Sequence, residues 1–168
     1  WNDITANLEY TKELLNNLSD YTNAYKLQPH KTELSPYLKS IISSIRPPYE
    51  YLGITLDEQI SSKLPELCID RIKLKQALLN LLRNAAEAVP VSGGKVKFCA
   101  FSSEKAVHIS ITDNGCGIPN EQLKQIFMPF ITFKKNGTGL GLAITAQIIL
   151  AHGGNIYAEN EPAPGVSF

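Results

Sequence analysis

The sequence predicts an α+β fold in which helices cover one face of a sheet and one long helix precedes the sheet. Residues 2–25 contain neither proline nor glycine, and apolar residues repeat at helical spacing over 71–89. Two segments with an apolar residue at every second position, 95–101 and 107–112, follow each other closely and predict a hairpin. Because neighbouring strands are joined in this way, an α+β fold fits better than a doubly wound parallel sheet.

Composition limits the class of partner. The 168 residues are enough for one domain with its own apolar core. Sixteen Lys and Arg residues balance sixteen Asp and Glu residues, so no overall field attracts nucleic acid or an anionic membrane. The apolar runs are too short to span a bilayer. We therefore expect an anion to be bound at a local site, with no nucleic acid and no direct membrane contact.

The three cysteines, Cys68, Cys99 and Cys116, form no C-x-x-C pair. Their odd number argues against both a disulfide framework and a zinc site, and it suits the reducing cytosol. We therefore expect a cytoplasmic location, which leaves open whether the parent protein is anchored in a membrane. Since the chain starts at Trp1 and stops at Phe168 inside a predicted strand, we expect a longer parent protein.

Residues 2–25 predict one helix with an apolar seam. The seam residues alternate at spacings of four and three, a heptad pattern. The helix either folds back on its own domain or forms a bundle with helices from elsewhere, and the length of the seam favours the bundle. We divide the chain into a helical segment over 1–28, a linker over 29–34 and a globular domain over 35–168. The seam consists of Ile4, Leu8, Thr11, Leu15, Leu18, Thr22 and Tyr25.

The globular domain is predicted to begin with a helix over 37–45, which Pro47 and Pro48 end because proline lacks a backbone donor. Asp70 is expected to be the N-cap of the next helix. The other predicted elements are strands at 54–56 and 67–69, a helix over 71–89, the hairpin strands, helices over 120–127 and 140–151, and strands over 155–159 and 165–168.

A polar stripe runs beside the apolar face of the helix predicted over 71–89. Asn80, Asn84 and Glu87 lie four and three residues apart and share one side of the helix. Asparagine side chains this close to a core need partners. They either cap loops and bond backbone or supply oxygen ligands to a hard cation such as Mg²⁺. The neighbouring apolar face consists of Leu74, Leu78, Leu81, Ala85 and Ala88.

A carboxylate falls on the inward-facing side of a predicted strand. Over 107–113 the apolar residues are odd-numbered, and Asp113 shares their parity. A buried carboxylate is costly unless a donor meets it, which an amine on a heterocycle would do. Gly115 and Gly117 then let the backbone turn and a flat ligand approach. An ordinary Asp-Asn-Gly turn would explain the glycines but not the parity.

A glycine-rich segment, Gly137 to Leu142, leads into the helix predicted over 140–151. Such a helix start offers free backbone N–H groups and the positive end of the helix dipole, which together hold phosphate. Lys134 and Lys135 stand just ahead and can neutralise charge. The spacing is neither that of a Walker loop nor that of a Rossmann loop. A flexible loop without a ligand remains the alternative.

Four segments, in this order, resemble the conserved boxes of sensor histidine kinases, which belong to the GHKL ATPase superfamily. Residues 80–88 (NLLRNAAEA) resemble the N box, and residues 113–119 (DNGCGIP) resemble the first glycine box. Residues 127–130 (FMPF) resemble the F box, and residues 137–142 (GTGLGL) resemble the second glycine box. The resemblance covers about residues 32–168. It implies the Bergerat fold, a two-layer α/β sandwich with a mixed, mostly antiparallel sheet and helices on one face.

This resemblance implies a site for Mg-ATP. Asn84 would bind Mg²⁺ with help from Asn80, and Asp113 would accept a hydrogen bond from the adenine amine. Lys134 would reach the γ-phosphate. Glu87 stands where some histidine kinases have a lysine, and it would either polarise a water or hold Arg83. The other residues expected around the nucleotide are Gly115, Gly117, Ile118, Phe130, Lys135, Gly137, Thr138, Gly139, Leu140, Gly141 and Leu142.

The resemblance also implies a lid and a partner domain. Residues 118–138 resemble a short ATP lid with Phe127 and Phe130 as anchors. The family phosphorylates a histidine on the first helix of a dimerisation domain, and residues 1–28 resemble the second helix of that domain. The expected partners are therefore a histidine-bearing dimerisation domain, which makes the full-length protein a homodimer, and a response regulator downstream.

None of the three histidines fits the place of the phosphate acceptor. His30 falls in the predicted linker, and His108 lies on the solvent face of a strand. His152 ends a predicted helix, where a cation suits the dipole. We therefore expect the acceptor histidine to lie outside this chain.

Three other functions remain open. ATPases of the mismatch-repair, gyrase or chaperone type activate water with a glutamate four residues before the N-box asparagine, where this chain has Asn80. An anti-sigma-factor serine kinase shares the glycine boxes but lacks a preceding heptad helix. A non-catalytic nucleotide-binding or dimerisation module is disfavoured by the intact Asn84 and Asp113.

Overall fold

The computed structural model describes residues 2–134, 137–161 and 165–168, with side chains of the first helix from residue 11 onward except 13 and 14. Lys135, expected near the phosphates, lies outside the described residues. The helices are α1 (Asn2–Asn23), α2 (Leu34–Tyr51), α3 (Arg71–Ala88), α4 (Asn120–Leu123) and α5 (Gly141–Ala151). The strands are β1 (His30–Glu33), β2 (Thr55–Ile60), β3 (Glu66–Ile69), β4 (Lys95–Ser102), β5 (Val107–Asp113), β6 (Glu159–Asn160) and β7 (Val166–Ser167).

The main sheet has five strands in the order β2-β4-β5-β7-β6. β2 and β4 are parallel, and the other neighbours are antiparallel, as the expected mixed sheet requires. The hairpin register places Val96 opposite Asp113. Phe98 and Ile111 of the sheet pack with Leu38 and Ile42 of α2 and Leu82 of α3 in one fully buried core. The predicted α+β fold, with helices packed against a mostly antiparallel sheet, is confirmed.

α2 continues through Pro47 and Pro48, so the prediction that these prolines end the helix was wrong. The last turn is tied to the core by Tyr49, which is 3% exposed. The Tyr49 hydroxyl donates to the backbone oxygen of Leu82 at 2.6 Å. This long-range bond and the burial of the ring stabilise a turn that the two prolines by themselves would disfavour.

Three other local predictions need correction. Residues 29–34 are not only a linker, because β1 lies within them and pairs antiparallel with β3. The helix predicted over 120–127 ends at Leu123. The strand predicted over 155–159 is limited to Glu159 and Asn160. β1 and β6 are held by pairing with β3 and β7, which no local pattern indicates.

α1 is the predicted helix, and its C-terminal part packs on the globular domain. Ala24, just after the helix, is 0% exposed, and it packs with Tyr21 against Leu140, Ile144 and Ile148 in a second apolar cluster. The seam side chains after residue 14 stay largely open to solvent, since Leu15, Leu18 and Tyr25 are 63%, 45% and 64% exposed. The helix therefore folds back through one face and leaves seam residues uncovered. A bundle along that seam remains a prediction.

The three cysteines are free thiols. His108 is exposed, as expected, and its ring stacks on Phe101. In the described ranges, no helix combines the length and the apolar character needed to cross a bilayer.

His152 ends α5 as expected, but the interpretation as a cation at the helix end was wrong. Its Nε2 accepts the backbone N–H of Asp70 at 3.0 Å, so this nitrogen carries no proton. Its Nδ1 then donates to the Ile148 oxygen at 2.8 Å. A neutral imidazole thus joins the end of α5 to the start of α3.

Candidate nucleotide-binding site

The start of α3 is fixed by Asp70, the predicted N-cap. Its Oδ1 accepts the backbone N–H groups of Ile72 and Lys73, both at 3.0 Å, and its Oδ2 accepts that of Gln28 at 2.8 Å. Burial pushes the pKa of Asp70 upward, but the backbone N–H donors bring it below its ordinary value. The cap therefore sets the rotation of α3 and the direction of its polar stripe.

Asn80 lies where α3 crosses α5. Its Nδ2 donates to Thr145 Oγ1 at 3.0 Å, and the Thr145 hydroxyl donates to the Gly141 oxygen at 3.0 Å. A Cβ added at Gly141 would lie 2.6 Å from Asn80 Oδ1, so the close crossing requires glycine there. Asn80 therefore connects the N box to the second glycine box. Its expected assistance to a metal ion stays a prediction.

Asn84 and Glu87 receive the side chain of Lys134 from the lid. The Lys134 Nζ donates to Asn84 Oδ1 at 2.9 Å and forms an ion pair with Glu87 Oε2. On the other side, Arg83 Nε lies 3.9 Å from Glu87 Oε1. Glu87 thus lies between two cations. The contact with Arg83 agrees with one of its two expected roles, and the other, polarising a water, stays a prediction. Ala88, expected on the apolar face, is instead exposed.

Asp113 points inward, as its parity predicted, and is 6% exposed. Burial raises the pKa of its carboxyl, against the lowering effect of backbone N–H bonds from Gly115 and Val166. The Gly115 N–H donates to Oδ1 at 2.8 Å. Since a carboxylate offers about four acceptor sites, this one has capacity for another donor.

Gly115 is required by close packing within the protein. A Cβ at this position would lie 2.6 Å from the Ala88 backbone oxygen and 2.8 Å from Asp113 Oδ1. The first glycine box is therefore pressed against the last turn of α3. The expected role of Gly115 in admitting a flat base stays a prediction.

Asn160, which was not predicted as a site residue, holds the backbone after Gly117. Asn160 Oδ1 accepts the Ile118 N–H at 2.9 Å, and its Nδ2 donates to the Ile118 oxygen at 2.6 Å. A second Nδ2 bond reaches Asn120 Oδ1 at 3.1 Å. No local motif marks Asn160, because its partner at the start of the lid lies 42 residues earlier.

The two expected lid anchors behave differently. Phe127 is partly buried and meets Phe168 edge-on, with ring centroids 6.4 Å apart. Phe130 is 64% exposed, so its ring is not packed into the core and does not hold the lid by burial. It has a positive φ of 65°, which directs its backbone N–H to the Gly139 oxygen at 2.9 Å. The main chain of Phe130 therefore ties the lid to the second glycine box.

The side chains of the second glycine box face the protein. Leu140 is 1% exposed, and Leu142 packs against the main core. The Thr138 hydroxyl oxygen accepts from Asn17 Nδ2 of α1 at 3.2 Å and from the Leu140 N–H at 3.4 Å. A ligand at Gly137, Gly139 or Gly141 would therefore meet mainly backbone N–H groups, which is the chemistry that binds phosphate.

α3 connects all these segments. Asn80 contacts the second glycine box, Asn84 and Glu87 contact the lid, and Ala88 contacts the first glycine box. Among the described residues no group of three or more His, Cys, Asp and Glu could hold a metal. The Asn84 amide oxygen would suit a cation that takes most of its ligands from phosphate and water and few from protein, such as Mg²⁺.

Comparison with known proteins agrees with this geometry. Residues 69–168 match the family described as histidine kinase-, DNA gyrase B-, and HSP90-like ATPase. Sporulation kinase B of Bacillus subtilis (strain 168) is 32% identical over 155 residues, which are 91% of this chain and 36% of that protein. The chain therefore spans about a third of the length of this curated relative.

Two solved structures share the fold. Full-length ShkA in complex with AMPPNP has a TM-score of 0.81 at 27% identity, over 93% of this chain and 34% of that chain. Histidine kinase ThkA in complex with the response regulator protein TrrA has a TM-score of 0.80 at 27% identity, over 99% of this chain and 48% of that chain. The arrangement of sheet and helices expected from the four boxes is confirmed.

Proposed function

Since the chain belongs to the histidine kinase-, DNA gyrase B-, and HSP90-like ATPase family, we propose that it is the ATP-binding catalytic domain of a sensor histidine kinase. It binds Mg-ATP and transfers the γ-phosphoryl group to a histidine outside this chain. The observation that carries the nucleotide-binding part is the buried Asp113 carboxylate, which keeps acceptor capacity beside a glycine-rich turn.

Adenine is held by Asp113 in this proposal. A carboxylate with a pKa raised by burial gains from a donor that approaches it, because the donor replaces lost hydration. The exocyclic amine of adenine is such a donor. Gly117 and Ile118 border the base, and the two hydrogen bonds between Asn160 and Ile118 keep this turn in place.

The phosphates lie at the start of α5. Backbone N–H groups of residues 137–142 and the helix dipole bind them, and Lys134 and Lys135 offset their charge. Asn84, assisted by Asn80, supplies protein oxygen to Mg²⁺. When bound, Mg²⁺ neutralises charge on the transferring phosphoryl group and orients it.

The chain contributes positioning and charge neutralisation and no covalent intermediate. A ring nitrogen of the acceptor histidine attacks the γ-phosphorus, the bond from phosphorus to the bridging oxygen breaks, and ADP leaves. We assign to Lys134 the role of offsetting the charge on the transferring phosphoryl group, because its side chain extends from the lid to the N box.

The acceptor domain pairs with α1 in a homodimer, and a response regulator receives the phosphoryl group afterwards. The exposed seam residues Leu15, Leu18 and Tyr25 support such a helical partner. We place the reaction in the cytoplasm, which suits the free thiols of the chain.

A hydrolytic ATPase is the second candidate, and Asn80 disfavours it. Hydrolysis in related ATPases needs a general base at that position, and an amide accepts no proton near neutral pH. The Asn80 amide is moreover engaged with Thr145 and Arg83.

The test is phosphoryl transfer to a separately expressed helical domain that bears the acceptor histidine. With γ-labelled ATP, we expect acid-labile label on that domain. Acid-stable label would indicate a serine kinase, and release of labelled phosphate without labelled protein would indicate a hydrolase. Either result contradicts the proposal.

A further inference from the structure

One lysine of the lid lies on the polar stripe of α3. The Lys134 Nζ donates to Asn84 Oδ1 at 2.9 Å and is paired with the Glu87 carboxylate. Asn84 and Glu87 lie one helical turn apart and face the same side. An ammonium group thus bridges the two oxygen-bearing side chains of the N box.

The atom that Lys134 occupies is the one proposed above as a ligand of Mg²⁺. An ammonium and a divalent cation repel each other, and they compete for the lone pairs of one amide oxygen. We propose that Glu87 and Lys134 form a latch that exchanges one cation for another. The ammonium closes the lid on Asn84 when no nucleotide is bound, and a divalent cation arriving with the nucleotide displaces it from Asn84. This inference rests on the proposed function.

Glu87 is a positioning residue in this latch. Its carboxylate holds Lys134 at Asn84 until a divalent cation arrives, and it keeps the ammonium close to the phosphates after release. The side chains of Lys134 and Glu87 are 50% and 46% exposed, respectively. Ion pairs this exposed are weak, so a divalent cation can open the latch.

The test measures how ADP binding depends on Mg²⁺. ADP has no γ-phosphate, so Lys134 cannot contribute through a contact to that group. Calorimetric titration of ADP at a series of Mg²⁺ concentrations gives the concentration at which half of the gain in affinity is reached. Because Lys134→Met removes the competing ammonium, we expect it to lower this concentration by about two- to fivefold, the range set by a weak exposed ion pair.

The same lysine substitution in a Glu87→Gln background separates the latch from simple charge repulsion. Without the carboxylate the ammonium is no longer held at Asn84, so Lys134→Met should then change the Mg²⁺ concentration by much less. The control is Lys124→Met, an equal loss of charge at the end of α4 in the same lid, which we expect to change nothing.

An equal fold-change in both backgrounds would overturn the latch, because it would show repulsion that does not depend on Glu87. No change in either background would overturn it too. If the unsubstituted protein binds ADP with Mg²⁺ dependence, but the substitutions leave the Mg²⁺ concentration at half-maximal gain unchanged, the proposed function stands and the latch fails. If the unsubstituted protein binds no ADP, both fail.

Discussion

Gly141 lies against Asn80, so closely that a Cβ on the glycine would approach the amide oxygen to 2.6 Å. The amide cannot simply move away, because its Nδ2 donates to Thr145. We therefore expect Gly141→Ala to force α3 and α5 apart and to lower the free energy of unfolding by about 1–3 kcal/mol. Urea denaturation measures this change.

Asn80, against which Gly141 packs, provides the control for this prediction. In an Asn80→Ala background the amide is gone, so Gly141→Ala should cost clearly less than in the unsubstituted protein. Equal costs in the two backgrounds would show that the Asn80 amide does not enforce glycine at this position.

Asp113→Asn tests adenine recognition. The variant loses the charged acceptor and brings an amide that donates where the base also donates, so we expect ATP affinity to fall at least about tenfold. Calorimetric titration measures the loss. The matched control is Asp57→Asn, an equal change at an exposed carboxylate on β2. Unchanged affinity in Asp113→Asn would contradict the adenine-binding role.

The same variant carries a pH signature in stability. Burial raises the pKa of Asp113 in the folded state, so the folded protein binds more protons than the unfolded one between the ordinary and the raised pKa. The contribution of this group to the free energy of unfolding therefore decreases as pH rises through that window. Asp113→Asn should remove this decrease and leave the protein at least as stable at neutral pH. A large loss of stability in the variant would contradict this account.

Asn84→Ala tests the cation ligand. The variant removes the oxygen that Lys134 contacts and that we assign to Mg²⁺, so ATP affinity should no longer increase when Mg²⁺ is added. Parallel titrations with Mg²⁺ and with a chelator measure this. Asn155→Ala, at an exposed asparagine after α5, is the control and should keep the full dependence. If Asn84→Ala keeps it as well, the ligand assignment is wrong.

Local sequence patterns predicted the features of the fold that depend only on neighbouring residues. Asp70 before an apolar period predicted the start of α3, and the parity of Asp113 predicted its burial, because both signals lie within a few residues. Proline alone gave the wrong end for α2, since the burial of Tyr49 prevails there. β1 has no alternating pattern and forms through its pairing with β3.

The contacts within the site were less predictable than its members. The N box indicated Asn84 and Glu87, and the resemblance of residues 118–138 to a lid indicated Lys134, but nothing in the sequence indicates that the lysine bridges the other two. Lys134 and Asn84 are 50 residues apart, and only the path of the lid brings them together. The positive φ of Phe130 likewise accompanies a backbone bond to Gly139, and phenylalanine has no local preference for it.

Docking of α1 on the globular domain is the last feature open to a direct test. Ala24 is 0% exposed among Leu140, Ile144 and Ile148, so Ala24→Asp would bury an unpaired charge unless the helix detaches. We expect the free energy of unfolding to fall by about 2 kcal/mol and hydrogen exchange along α1 to accelerate. Leu18→Asp places the same charge on the exposed seam, and it should leave both measurements nearly unchanged. If the two variants behave alike, α1 does not dock through Ala24.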